Sequence, residues 1–247
     1  MNLPHPLPAL YWRWRQRSLD IRPWSDLPDD LPIAGARIAI VGNAGYLTTL
    51  DQGERIDAHD LVLRMNNFRT SGFEAYVGSR VDVYMSNFYV PDIDFTHPDI
   101  RRARWFVSSR PNVFTKPKRD NLDLRYGEHL TAGLHRIGAK AAYAPSLDYV
   151  QNVAARLHDC PTTGLMALLL ATDVLLDRCA SVYVTGFSFF EGKAHYFREG
   201  ATEAFRHHNV ATEKDLLAAK LAPWIERGRV GCDGTIARHL GLTTTPP

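Results

Sequence analysis

The chain has 247 residues, 45% of them hydrophobic and 23% charged, with a formal net charge of +2. This is ordinary globular composition, enough for one larger α/β domain or for one domain with a small appendage. So small a net charge excludes bulk electrostatics as a route to an anionic partner, and any anion must be held by local geometry.

Residues 1–32 read as an arm ahead of a single domain spanning 33–247. Residues 1–10 are rich in proline and lack the charged region and apolar run of a secretory signal. The segment Tyr11-Trp12-Arg13-Trp14-Arg15-Gln16-Arg17 interleaves aromatics with arginines. Two readings stay open for it. One is a short helix that packs its tryptophans on the body. The other is peripheral contact with an anionic membrane, with indoles at headgroup level and guanidiniums on phosphates.

The body begins at Arg37. Residues 37–42 form a compact β-branched run that stops at a glycine, as a buried parallel strand does. Further strands are predicted over 61–65, 81–85, 105–108, 141–144 and 181–186. Helices are expected between them, most clearly over 163–178, which is apolar nearly all round and should be buried. Its most apolar part, 165–176, is too short to cross a bilayer and contains Asp173. Strands that alternate with helices predict a mainly parallel sheet between helical layers. The tail, 243–247, is expected to fray. Cys160, Cys179 and Cys232 form no CxxC pair and have no zinc-like spacing with histidine. A reducing, cytoplasmic compartment is therefore expected.

In such a sheet, ligands bind at the carboxyl ends of the strands. Three stretches fall there. Gly42-Asn43-Ala44-Gly45 follows the first strand of the body and suits a tight turn that approaches a phosphate. It is neither GxGxxG nor a P-loop, and a plain turn is its bland alternative. Pro161-Thr162-Thr163-Gly164 precedes the buried helix, where the threonines serve as caps or as part of an anion site. After the strand ending at Gly186 come His195-Tyr196-Phe197 and His207-His208-Asn209. Histidine can take a hydroxyl proton or donate to a leaving phosphate at neutral pH.

Taken together, these stretches resemble the four sialylmotifs of the family-29 glycosyltransferases, the sialyltransferase family. Residues 42–78 resemble the large motif, with its Gly-Asn pair, the Ile-Asp-x-His-Asp-x-Val-x-Arg-Met-Asn core over 56–66 and the Thr-x-Gly-Phe-Glu-x-x-Val-Gly end over 70–78. Pro161-Thr162-Thr163-Gly164 with 182–187 resembles the small motif. His195-Tyr196-Phe197 is similar to the third motif, and His208 with Glu213 matches the very small one. The four occur in the family's order, over about residues 35–225.

The resemblance implies a Rossmann-like α/β/α sandwich of modified GT-A type. It implies an inverting, metal-independent transfer of a sialic acid, or a related acid such as Kdo, from a CMP-activated donor to a glycan hydroxyl. By the same resemblance Asn43 and Asn66 hold the nucleotide. Thr162, Thr163 and Gly164 contact ribose, phosphate or the sugar's carboxylate. His195 bonds the departing phosphate and His208 is the general base, with His207 beside it. Glu213, five residues on, is expected to orient a loop or helix start. The disulfide and membrane anchor of animal members are not seen in this sequence, and Phe197 replaces a tyrosine. These departures suggest a compact bacterial-type member that acts in surface polysaccharide biosynthesis, peripheral to the inner membrane. A non-catalytic CMP-nucleotide-binding protein and a CMP-sugar hydrolase on the same fold remain the alternatives.

Overall fold

The computed structural model describes residues 9–89, 93–114, 126–193, 195–198 and 208–242. Eight strands form one sheet: β1 (Asp20–Pro23), β2 (Arg37–Val41), β3 (Leu61–Met65), β4 (Val83–Ser86), β5 (Trp105–Ser108), β6 (Ala141–Ala144), β7 (Ser181–Thr185) and β8 (Val230–Cys232). Their order is β1-β6-β5-β4-β3-β2-β7-β8, and every pairing is parallel. The helices are α1 (Ala9–Gln16), α2 (Leu27–Asp30), α3 (Gly53–Asp57), α4 (Glu74–Val77), α5 (Pro98–Arg101), α6 (Tyr126–Ile137), α7 (Leu147–Leu157), α8 (Thr163–Leu170), α9 (Val210–Glu226) and α10 (Gly234–Leu240).

Alternation along the strands builds the layers. Ile38 and Ile40 of β2, and Leu61, Leu63 and Met65 of β3, join one buried cluster with α7, α8 and α9. Their neighbours Ala39, Val41 and Val62 point the other way, into a cluster with Ile56 of α3 and Val77 of α4. Tyr84 and Phe106 do the same toward Leu130 and Leu134 of α6. Both faces of the sheet are thus covered, which is why its strands read as continuous apolar runs. This is the expected α/β/α sandwich.

Two predicted boundaries move. Residues 20–32 belong to the body rather than to an arm: β1 pairs with β6 at the sheet edge, and Trp24, Leu27 and Leu31 are core residues. The segment Asp20-Ile21-Arg22-Pro23 hides this, because an edge strand of four residues carries two charges and a proline and shows no apolar run. The helix expected over 163–178 keeps α-geometry only to Leu170. It then widens into a π-turn over Ala171–Leu175. There Asp173 accepts from Tyr149 and Lys220, both at 2.8 Å.

The chain goes from β2 stepwise outward to β6, then returns to place β7 on the other side of β2. The loops leaving β2 and β7 therefore diverge at one point and must also touch there. A methyl at Gly42 would lie 2.1 Å from the carbonyl oxygen of Gly186, and Gly186 itself has φ +80°. Ala44 N–H donates to that same oxygen (3.0 Å). Gly42→Ala should therefore cost about 1–3 kcal/mol by overpacking, read as a thermal midpoint roughly 3–10 °C lower. Gly234 has open space around it, and Gly234→Ala should leave the midpoint near that of the parent. Equal midpoints for all three proteins would refute the close approach.

Candidate active site

The first half of the site forms at the ends of β2 and β3. Asn43 Nδ2 donates to Met65 O (2.9 Å), which fixes the amide's orientation. Its Oδ1 is then buried with no protein partner. Asn66 leaves β3 in the left-handed region, φ +50°, and its Oδ1 is likewise buried and unpartnered. The loop after β7 folds back over this point. Gly45 N–H donates to Lys193 O (2.8 Å), and Tyr196 N–H donates to Asn43 O (3.1 Å). The Tyr196 hydroxyl accepts from Arg69 N (3.0 Å) and donates to Arg69 O. His195 is thereby held next to Asn43. Its ring stacks on Phe197 with 5.2 Å between centroids, and its Nδ1 is buried without a partner. Burial, reinforced by Arg198, pushes the imidazole down to about 4. His195 is neutral at neutral pH, so it can hydrogen-bond but carries no charge.

The second half forms at the start of α8. Thr162 is its N-cap: Oγ1 accepts from Leu165 N (3.0 Å) and donates to Glu213 Oε2 (2.7 Å). The Thr162 N–H donates to Glu213 Oε1 (2.8 Å). A hydroxyl has one proton to donate, and Thr162 has already given it to Glu213. Of the two readings the sequence allowed for Thr162, the structure gives it the capping one. Thr163 and Gly164 follow in the first turn, where a helix offers no carbonyl to its own N–H groups. His208 Nδ1 lies 2.7 Å from Cys160 O. A carbonyl only accepts, so Nδ1 carries the proton and the basic lone pair sits on Nε2. The ring stacks on Phe190, 5.9 Å between centroids. Asn209 then caps α9 and ties it to Leu157 O (3.1 Å). His207 lies outside the described residues.

One ring joins the halves. Phe187, directly after β7 and Gly186, packs against both glycine turns. A methyl at Gly42 would lie 3.3 Å from it and one at Gly164 would lie 3.1 Å away. The structure thus brings together Asn43, Asn66 and His195 on one side of Phe187, and Thr162, Thr163, Gly164 and His208 on the other. Glu213, expected to orient a helix start, does so by gripping Thr162.

Sequence reasoning missed two features. Arg110, after β5, is buried and donates from Nη2 to Pro161 O (2.9 Å). A basic residue two positions past a buried strand was the available signal. Asp233, after β8, accepts from Tyr46, Thr185 and Gly186 and so ties the two central loops together. Nothing in local spacing announced it.

A parallel sheet with paired glycine turns at its switch point, and histidines beside them, defines an α/β protein of the doubly wound class, whose ligands bind at that point. Residues 31–99 match the family model described as glycosyltransferase family 29 (sialyltransferase). Over 57 residues the chain is 47% identical to alpha-N-acetylgalactosaminide alpha-2,6-sialyltransferase 2 of Mus musculus, covering 23% of this chain and 15% of that protein. It is 30% identical over 193 residues to CMP-N-acetylneuraminate-beta-galactosamide-alpha-2,3-sialyltransferase 1 of Gallus gallus, covering 70% and 51%. The chain thus spans about half the length of this last relative, and far less of the first. A crystal structure of a mammalian sialyltransferase superposes with a TM-score of 0.55 at 19% identity, covering 94% of this chain and 81% of that one. The chain belongs to glycosyltransferase family 29, and its fold is the GT-A-like one of that crystal structure.

Glu213 supplies a test of the second half. Burial raises its carboxyl from 4.5 to about 7, against the opposing pull of the Thr162 bonds and Arg110. A carboxyl whose folded value is raised adds stability that is complete below the unfolded value and lost as pH rises through the folded one. Wild type should therefore lose stability relative to Glu213→Gln between about pH 4.5 and about pH 7. Thermal midpoints of the two proteins across that window check this, and a difference that does not change with pH would count against it.

Proposed function

We propose that the protein transfers a sialic acid from its CMP-activated form to a glycan hydroxyl, with inversion and without a metal. The observation that carries this reading is the set of unpartnered buried atoms on Asn43, Asn66 and His195, beside the switch point of the sheet. A buried polar atom without a partner costs about 1–3 kcal/mol, and a bound nucleotide carries the hydroxyls, amine and phosphate oxygens that would satisfy such atoms. The names of the similar proteins favour sialic acid over Kdo as the acid transferred.

Chemistry then divides between the two halves. The donor's anomeric carbon bears a carboxylate and loses a nucleoside monophosphate, so bond breaking runs ahead of attack. The leaving phosphate gains charge, and fixed donors aimed at it are worth about 3 kcal/mol each by analogy with other oxyanion sites. A neutral His195 supplies one such donor without needing a proton from solvent. On the other wall, the first-turn amides of Thr163 and Gly164 present the partial positive charge of the α8 N-terminus to the rest of the donor. His208 takes the acceptor's proton at Nε2 late in the step, while the Cys160 carbonyl holds the tautomer that makes this possible.

His208→Ala should lower transfer about 10²–10⁴-fold while CMP affinity stays within about twofold. Loss of CMP binding in step with activity would sink the assignment of His208 as base. The same assay, run with CMP-sialic acid and CMP-Kdo in parallel and with a chelator present, reads donor choice and metal independence. Release of CMP that no glycan acceptor accelerates would instead favour the hydrolase reading.

We also propose that α1 touches an anionic membrane surface. Trp14 is 61% exposed, and Arg13 and Arg17 are exposed beside it, while the other side of α1 rests on α6. Sedimentation with phosphatidylglycerol vesicles should carry the protein down, and the double variant Trp14→Ala, Arg17→Gln should stay in solution. Equal sedimentation of both would refute contact through α1.

A further inference from the structure

Among the described residues, Arg110 is the one buried cation beside the start of α8 that neither the sequence motifs nor the mechanism above uses. It lies two residues after the end of β5 and is 6% exposed. Its backbone is locked by Ser108, whose Oγ donates to Arg110 O (2.8 Å) and accepts from Arg110 N (3.1 Å). The guanidinium lies over the Tyr126 ring at 5.5 Å and donates from Nη2 to Pro161 O. Nη1 is buried and has no hydrogen-bond partner. A buried guanidinium ordinarily meets a carboxylate, because an uncompensated charge in the interior is costly. Glu213 is near enough to feel its field, but both carboxylate oxygens are bonded to Thr162. The guanidinium thus carries charge and an N–H that no acceptor among the described residues receives.

The position of that N–H selects its ligand. Arg110 and His208 hold consecutive carbonyls of one loop, Pro161 O and Cys160 O. Ser109 Oγ stands 3.4 Å from Thr163 Oγ1 on the same side. The base, the guanidinium and the first turn of α8 therefore share one wall of the site, and His195 lies with the other half, beside Asn43. In an inverting displacement the leaving phosphate departs on the face opposite the incoming hydroxyl. The acid's own carboxylate stays on the anomeric carbon, and it is the one ionised group of the donor besides the phosphate. We propose that Arg110 binds the carboxylate of the donor's sugar acid. This rests on the transferase reading above and deepens it, by naming the residue that selects an acidic sugar over a neutral one. A planar guanidinium against a carboxylate also explains why arginine, and not lysine, stands here.

The test uses the whole chain and three ligands. These are CMP, CMP-sialic acid carrying fluorine beside the anomeric carbon to slow bond breaking, and the methyl ester of that same analogue. Wild type should bind the acid about 10- to 100-fold more tightly than the ester, the range of a charge-assisted hydrogen bond. Arg110→Met should keep its affinity for CMP, which also reports that it is folded, and should bind acid and ester alike. Arg110→Lys should fall between, retaining charge without the fork. If Arg110→Met still prefers the acid as strongly as wild type does, the proposal is overturned. It is also overturned if the variant loses CMP and the acid equally, because the guanidinium would then hold phosphate. Failure of wild type to bind CMP at all would instead overturn the transferase reading beneath it.

Discussion

The site exists because two backbones meet where the sheet changes direction. β2 feeds one half of the sheet and β7 the other, so the loops leaving them part company at their carboxyl ends. Gly42 and Gly186 let those loops touch before they diverge. Asp233 then fixes the contact from the side. One of its oxygens accepts from Tyr46 OH, Thr185 Oγ1 and Gly186 N, and the other caps α10. The Tyr46 oxygen in turn accepts from Gly186 N and Phe187 N. Without this junction Phe187 would not sit between the two glycine turns, and the halves of the site would have no common wall.

Hydrogen-bond accounting separates scaffold from site within the large motif. Asp57 accepts from Ser79 N, Ser79 Oγ and Arg80 N and closes the turn after α4. Arg64 is fully buried, with its Nε and Nη2 donating to Arg80 O and Val77 O. Asp99 plays the same part for Thr70 and Ser71. These residues make the motif recognisable as a string, yet their bonds point inward. Asn43 and Asn66 each leave a buried oxygen unmet at the switch point, whereas the unmet Nη1 of Arg64 belongs to a side chain anchored within the motif itself. A motif is thus mostly the support that holds a few atoms in an unsatisfied state, and such atoms are what a ligand can reward.

Much of this was legible in advance, for a physical reason. β2 to β7 are buried on both faces, so their sequences are mostly apolar runs. Asn43 and Asn66 lie in turns directly after such runs, and Thr162, Thr163, Gly164 and His208 at helix starts, where residue type is informative. The edges were hidden. β1 and β8 are short and border strands of one neighbour each, so they need no apolar run, and Asp20-Ile21-Arg22-Pro23 reads as a linker. Long-range partners were hidden as well. Glu213 could be placed as an orienting residue by its offset from His208. That its target is Thr162, 51 residues earlier, follows only from how α9 packs on α8. Arg110 was passed over because its meaning lies in Pro161 and in an unmet N–H, and neither is a property of the local sequence.

The charges around the second half form a consistent set. An anion site built from histidine cations would depend on pH, and burial has removed that option: His195 is held neutral. Glu213, a carboxylate beside the same helix start, would repel an anion if fully ionised, and burial raises it toward neutrality. Its two bonds to Thr162 keep it useful in either form, because they fix where the first turn of α8 points. The permanent positive elements are then the guanidinium of Arg110 and the partial charge of the helix N-terminus. A site whose attraction for acid comes from those two groups leaves its histidines available for proton and hydrogen-bond chemistry. His208 and Arg110 are also held by consecutive carbonyls of one loop, Cys160 O and Pro161 O, so any shift of that loop moves both together.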